Sequence, residues 1–204
     1  HHKVGVALEE AGVVSLTETS ANEAYVRDDS RSAPHDLFVS TKKLYRLARG
    51  TVDFSLPDAL FRFDEEIPAP SKPRTSVSVA FSASNITGWI WSEDRWVRQL
   101  DGEPMLAESG TPIAVDNVVI QEVVVTDSDI LDAAGYPSPN VKLVGEGRAW
   151  VLRDGRLILG RWSRPSLGDI TVFETKGGEE IALAPGTTFV QLVPKDGGEV
   201  TFER

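Results

Sequence analysis

The pair Asp154-Gly155 lies between two apolar runs, Ala149-Trp150-Val151-Leu152 and Leu157-Ile158-Leu159. Asp-Gly supplies the two positive φ angles that a two-residue turn between antiparallel strands needs. A chain that spells this pair between alternating hydrophobics is committed to a β-hairpin, here over residues 147–163. The same grammar extends in both directions. Val77, Val79 and Phe81 alternate with Ser78, Ala80 and Ser82, the pattern of a half-buried strand. Residues 86–91 and 95–99 pair around the acidic turn Ser92-Glu93-Asp94, and 117–126 is a β-branched run that reads as a central strand. Shorter strands are expected at 170–173, 180–183, 188–193 and 199–202, separated by Gly177-Gly178, Pro185-Gly186 and Gly197-Gly198. Strands at this spacing without intervening helices predict an antiparallel sandwich or barrel.

The first third reads differently. Residues 3–14 have helical spacing (Val4, Ala7, Leu8, Ala11) and a stop at Gly12, and Val13–Thr17 is expected as a short strand. A second helix is capped by Ser40 or Thr41, puts Leu44, Leu47 and Ala48 on one face, and ends before Gly50. Residues 57–63 are expected to form a short helix or turn. Pro68, Pro70 and Pro73 then disfavour helix and favour an extended strap. The expected fold class is therefore α+β, predominantly antiparallel β. A small α/β N-terminal portion spans 1–66, a Pro-rich linker 67–74, and a sandwich or barrel-like β domain 75–204. Charge supports two surfaces. Residues 1–50 carry seven Lys/Arg and seven Asp/Glu, so the remaining 154 of the 204 residues hold the whole net charge of -10.

That charge argues against nucleic-acid binding, which needs clustered cations. No apolar run reaches the roughly 20 residues of a membrane-spanning helix. The chain has no cysteine, which removes disulfides, thiolate metal sites and cysteine nucleophiles. Catalytic signatures of hydrolases, zinc proteases, P-loops and dinucleotide folds are missing. No metal site and no cofactor are expected. Asp127-Ser128-Asp129-Ile130-Leu131-Asp132 lacks the glycine and terminal glutamate of a calcium loop. Trp89 and Trp91 share a strand face and, with Trp96, Trp150 and Trp162, are expected to fill a core rather than to stack ligands.

One stretch concentrates reactive groups, residues 27–36. Arg27 and Arg31 can clamp a carboxylate or phosphate, and His35 can move a proton near neutral pH when an Asp orients it. Arg27, Asp29, Arg31, His35 and Asp36 are the candidate ligand-binding residues of this loop, with His35 the one weak catalytic candidate. The plainer reading is an Arg–Asp network that pins a long loop to the helix behind it.

The string APHDLFVSTKKLYRLA (33–48) resembles the YerB-like family of bacterial lipoproteins. So do GWIWSEDRWVRQLDGEPM, TPIAVDNVVIQ, LVGEGRAWVLRDGRLILGRWSRPS and ITVFETKGGEEIALAPGTTFVQLVP, in that order. The resemblance runs over about 12–194. It implies two domains of unknown function and an exported protein held outside the cytoplasmic membrane by a lipid on an N-terminal cysteine, which this chain lacks. His1-His2 reads as the remnant of a tag on a trimmed chain. The resemblance also implies that Arg27, Arg31, His35 and Asn117 can belong to a family site. Asp36 departs from the usual Asn, and Met105 stands where the family often has His. The expectation is a non-enzymatic, extracytoplasmic binding module, partnered by an envelope protein or a cell-wall-related ligand. The alternatives are a hydrolase or lyase on an envelope polymer, using His35 as acid/base with an Arg27/Arg31 anion clamp, and a cytoplasmic interaction domain.

Overall fold

A computed structural model describes residues 5, 6, 8, 10–49, 59–68, 70–132 and 134–203. Contacts divide the chain into two units, His1–Asp58 and Ala59–Arg204.

In the first unit the expected helix over 3–14 falls partly outside the described residues. Gly5, Val6, Leu8 and Glu10 are helical, and the helix stops at Gly12, whose φ is +68°. Val13 N–H closes that end on Leu8 O at 2.9 Å. The strand expected at Val13–Thr17 does not form. Thr17 and Ser20 bond each other's backbone and hydroxyls instead, a local turn that competes with strand pairing. Strands β1 (Tyr25–Arg27) and β2 (Leu37–Val39) pair antiparallel in a two-stranded ribbon that the sequence pattern had not marked. The helix α1 (Thr41–Ala48) follows, and the Ser40 hydroxyl accepts from Lys43 N–H as its N-cap.

The second unit is two sheets. The smaller is built on β4 (Ser76–Ser82), β5 (Asn85–Ser92) and β6 (Arg95–Leu100), edged by β15 (Glu199–Glu203), β7 (Glu103–Pro104) and β8 (Ala114–Val115). The larger orders β10 (Pro137–Lys142), β9 (Asn117–Leu131), β11 (Gly145–Arg153), β12 (Arg156–Arg164) and β13 (Val172–Thr175). Asp154 and Gly155 have φ of +50° and +65°, the two-residue turn foreseen for the β11–β12 hairpin. Among the described residues, every pairing between these strands is antiparallel except one. β14 (Thr188–Pro194) runs parallel to β9, from Thr188↔Asn117 to Pro194↔Val123. The Pro-rich segment read as a linker contributes a strand, β3 (Ser71–Pro73), on β12. Pro73 is tolerated because β3 is a short edge, where a missing N–H breaks no ladder. The helix or turn expected at 57–63 lies partly outside the described residues, and 59–63 are not helical. The strand expected at 180–183 is reduced to single bridges, Glu174↔Glu180 and Phe63↔Leu183.

Two apolar clusters lie on the two faces of the larger sheet. Between the sheets, Val77, Val79, Trp89 and Trp96 pack on Val118, Ile120, Leu152, Leu157 and Val193. On the other face, Val119, Val123, Val151 and Ile158 meet Trp162, Phe173, Ile181 and Leu183, with Phe61 against them. Trp89, Trp96 and Trp162 are buried, as the core reading of the tryptophans expected. The inter-sheet core holds one polar chain. The Trp89 indole N–H donates to Gln191 Oε1 (2.7 Å), and Gln191 Nε2 donates to Thr87 Oγ1 (2.9 Å). All three side chains are buried, so Gln191 satisfies two polar groups that have no water to turn to. Gln191→Ala is expected to lower unfolding stability by about 2–4 kcal/mol, from a cavity plus two unpaired groups. Urea denaturation measures this, and a loss under about 0.5 kcal/mol would contradict the account.

Candidate functional sites

The loop 28–36 closes the β1–β2 ribbon. Asp28 N–H bonds Asp36 O at 2.8 Å, and Arg31 N–H bonds Asp28 O at 3.0 Å. The Asp28 carboxylate accepts from Ser30 N–H (3.0 Å) and Ser30 Oγ (2.6 Å), which holds it below the usual carboxylate range. Arg27 is the hub. Its Nε and Nη2 grip Glu18 (3.2 and 2.9 Å), and its Nη1 donates to Asp36 Oδ2 at 2.9 Å. The hydrogen bond from Arg27 lowers the Asp36 pKa, and the two carboxylates, Asp36 foremost, raise that of Arg27. Arg31 leans over the Phe38 ring at 5.1 Å and lies 3.5 Å from Asp28.

The structure thus gathers Arg27, Asp36 and Glu18, with Arg31 turned to Asp28 and Phe38. Glu18 carried no signal in the sequence beyond its charge. An arriving anion would have to displace a carboxylate from Arg27. Asp29 and His35 are exposed. His35 N–H bonds Ser32 O at 3.0 Å, after a cis Ala33–Pro34 bond. Asn117 belongs to the second unit and is fully buried. Its Nδ2 donates to Ala184 O (2.9 Å) and Thr188 Oγ1 (3.2 Å), and its Oδ1 accepts from Ala184 N–H (2.8 Å). That amide clamps the chain entering β14 and has nothing left for a ligand.

The second unit carries concave surfaces of its own. On the outer face of the smaller sheet, a cavity of about 460 Å³ is lined by Ser76, Ser78, Gly88, Gln99 and Thr201, between Ile86 and Ile90. Strand alternation explains it. Val77, Val79, Thr87 and Trp89 point inward, which leaves Ser76, Ser78, Ile86, Gly88 and Ile90 outside. Ser78, Gly88 and Gln99 are cross-strand neighbours. Gly88 is the floor: a Cβ there would sit 3.3 Å from Val77 O and 3.4 Å from the Gln99 Cβ. Asp101 and Glu203 are its charged lining groups. A smaller hollow of about 240 Å³ lies beside Arg161, Glu146 and Glu174. Another, of about 420 Å³, lies where β3 passes the hairpin turn. Among the described residues no cluster of three or more His, Asp or Glu is placed to hold a metal ion.

The second unit is a two-sheet β body in which β14 runs parallel to β9. The chain belongs to the family described as "Protein of unknown function (DUF3048) C-terminal domain", which matches residues 77–190. A solved structure, the YerB protein from Bacillus subtilis, superposes with a TM-score of 0.74 at 20% identity. The match covers 98% of this chain and 67% of that one, and shows a common fold. Both findings agree with the YerB-like resemblance read in the sequence. No curated protein matches the chain.

The Arg27–Asp36 contact has a pH signature. A carboxyl whose folded pKa is depressed adds stability above its unfolded value, near 3.9, and loses it as pH falls through the folded value. Arg27→Met is therefore expected to raise the Asp36 pKa toward the ordinary range. A carboxyl-carbon NMR titration reads it, and an unmoved Asp36 would show that the guanidinium is not what holds it down.

Proposed function

We propose that this protein is a non-enzymatic binding module of the bacterial cell envelope, exported and, in its full-length form, lipid-tethered, and that its ligand is a cell-wall glycan. The observation that carries the reading is the groove around Gly88. Its lining includes the hydroxyls of Ser76, Ser78 and Thr201 and the Gln99 amide, groups that exchange hydrogen bonds with sugar hydroxyls and acetamido groups. Ile86 and Ile90 offer flat apolar contact beside them. Its titratable lining groups are Asp101 and Glu203, and it contains neither His nor Lys. Such a surface recognises a polymer without a group that moves protons at neutral pH. The family resemblance supports export and tethering.

Ser78→Phe fills the groove with a residue that suits a strand. In sedimentation with isolated cell-wall sacculi, the wild type is expected to be retained and the variant released at least about tenfold more readily. The variant should keep an unchanged Tm. Equal retention of both proteins would remove the groove from consideration. The tether has a separate check: the gene's opening codons should encode a cysteine behind an apolar leader, and a start codon directly before Lys3 would refute it.

A further inference from the structure

The hollow of about 420 Å³ beside the hairpin turn differs from the groove in every chemical respect. It is lined by Lys72, Pro73, Arg74, Thr75, Trp91 and Gly155. Lys72 lies in β3 and Arg74 directly follows that strand, and both line the hollow. Arg74 N–H bonds Gly155 O at 2.9 Å, and Trp91 N–H bonds Thr75 O at 2.8 Å, so the lining is tied into both sheets by its backbone. Gly155 lies against the Trp91 pyrrole ring. An added Cβ would meet Trp91 Nε1 at 2.8 Å and Cδ1 and Cε2 at 3.0 Å each. Close approach and a φ of +65° both demand glycine there.

No carboxylate lines this hollow, although the chain carries 31 Asp and Glu against 21 Lys and Arg. Its polar side-chain groups are all donors, or, for the Thr75 hydroxyl, able to donate. Among the described residues neither Lys72 nor Arg74 has a carboxylate partner, and the Trp91 indole N–H has no hydrogen-bond partner. Arg74 spends Nη1 on Pro73 O at 2.7 Å, while its buried Nε is left with none. Arg95 and Arg98 leave Nε unpaired in the same way, so what marks Arg74 is its place in the lining with no carboxylate beside it. Beneath these donors the floor is apolar: the Pro73 ring, the indole and the Gly155 backbone.

We infer that this hollow is a binding site for an acidic saccharide, its oxyanion held by Arg74, Lys72 and the Trp91 N–H and its ring resting on the Pro73–Trp91 floor. Charge-assisted bonds from a guanidinium suit a carboxylate or phosphate oxygen. An apolar floor under the donors favours an anion carried on a ring over a bare one. An extended peptide is disfavoured, because β3 offers only three paired residues and Pro73 has no N–H for an added strand. The inference stands on residues outside the groove and does not depend on it.

The test is an NMR titration of the indole and guanidinium N–H signals with D-galacturonate, and in parallel with D-galactose, inorganic phosphate and a short polyglutamate. The Trp91 signal is assigned from Trp91→Phe. Saturable shifts of Trp91 and Arg74 with galacturonate, and none with galactose, are expected. Lys72→Ala/Arg74→Gln should weaken binding by about tenfold. Lys72→Ala alone, at an exposed side chain, should weaken it measurably, and serves if the double variant does not fold. No shift with galacturonate, equal shifts with galactose, or full affinity in Lys72→Ala would overturn the site. Phosphate or polyglutamate binding as tightly as galacturonate would overturn the saccharide assignment.

Discussion

The second unit depends on burying one strand on both faces. Residues 117–123 of β9 are all buried. A strand with solvent on one side alternates polar and apolar side chains, and this one does not. Val118 and Ile120 enter the core between the sheets, and Val119 and Val123 enter the opposite cluster. Two of the three polar residues caught in the run find side-chain partners, while Gln121 Nε2 is left without one. Asn117 is consumed by Ala184 and Thr188, and Glu122 by Arg148. The second face needs a cover that is not a sheet. Leu183 N–H bonds Arg62 O and Asp64 N–H bonds Leu183 O, which joins two irregular segments over it. Arg153, 1% exposed, staples both: Nη1 donates to Ala182 O and Nη2 to Glu65 O, while Nε pairs with Asp154. That buried arginine succeeds because every arm has an acceptor.

This explains which parts of the fold were legible in the sequence. The hairpin at Asp154-Gly155, the Ser40 cap and the β-branched run at 117–126 are local signals, complete within a few residues. The cover is not local. Residues 59–68 and 181–184 have no period of their own and take their shape from the face they shield, so a strand expected at 180–183 becomes isolated bridges. The direction of β14 is equally hidden: Thr188–Pro194 reads as a strand in either sense, and only the path of the chain past Asn117 makes it parallel to β9.

The sites divide along the same line. Arg27, Asp36 and Arg31 could be read as a network because they lie within ten residues, and the ribbon does bring Arg27 and Asp36 together. Glu18 completes the fork from outside that window, and turns a candidate clamp into an ion pair already made. Asn117 was singled out by family resemblance alone, and its position shows a different reason for an amide there: it closes the turn into a parallel strand. The Gly88 groove had no signal, since it is assembled from outward-facing residues of four strands whose sequence positions span 76 to 203. Alternation predicts which residues face out, but not which outward faces meet.

The placement of charge sets the two concave surfaces of the second unit apart. At physiological salt a charge is felt over about 8 Å, so the net -10 does not decide what each surface takes. Local lining does. The groove has Asp101 and Glu203 and is otherwise neutral, a lining that repels anions and accepts hydroxyl and amide donors. The hollow beside β3 has Lys72 and Arg74 and no acid, and rejects cations just as directly. Its chemistry also fixes a constraint on the strap. Pro73 and Gly155 have no long side chain to swing into the space, and the Trp91 ring touches Gly155 and lies near Trp96, whose ring centroid is 5.3 Å away. The donors therefore stand around a floor that is already in place, and an anion entering there orders only the Lys72 and Arg74 side chains.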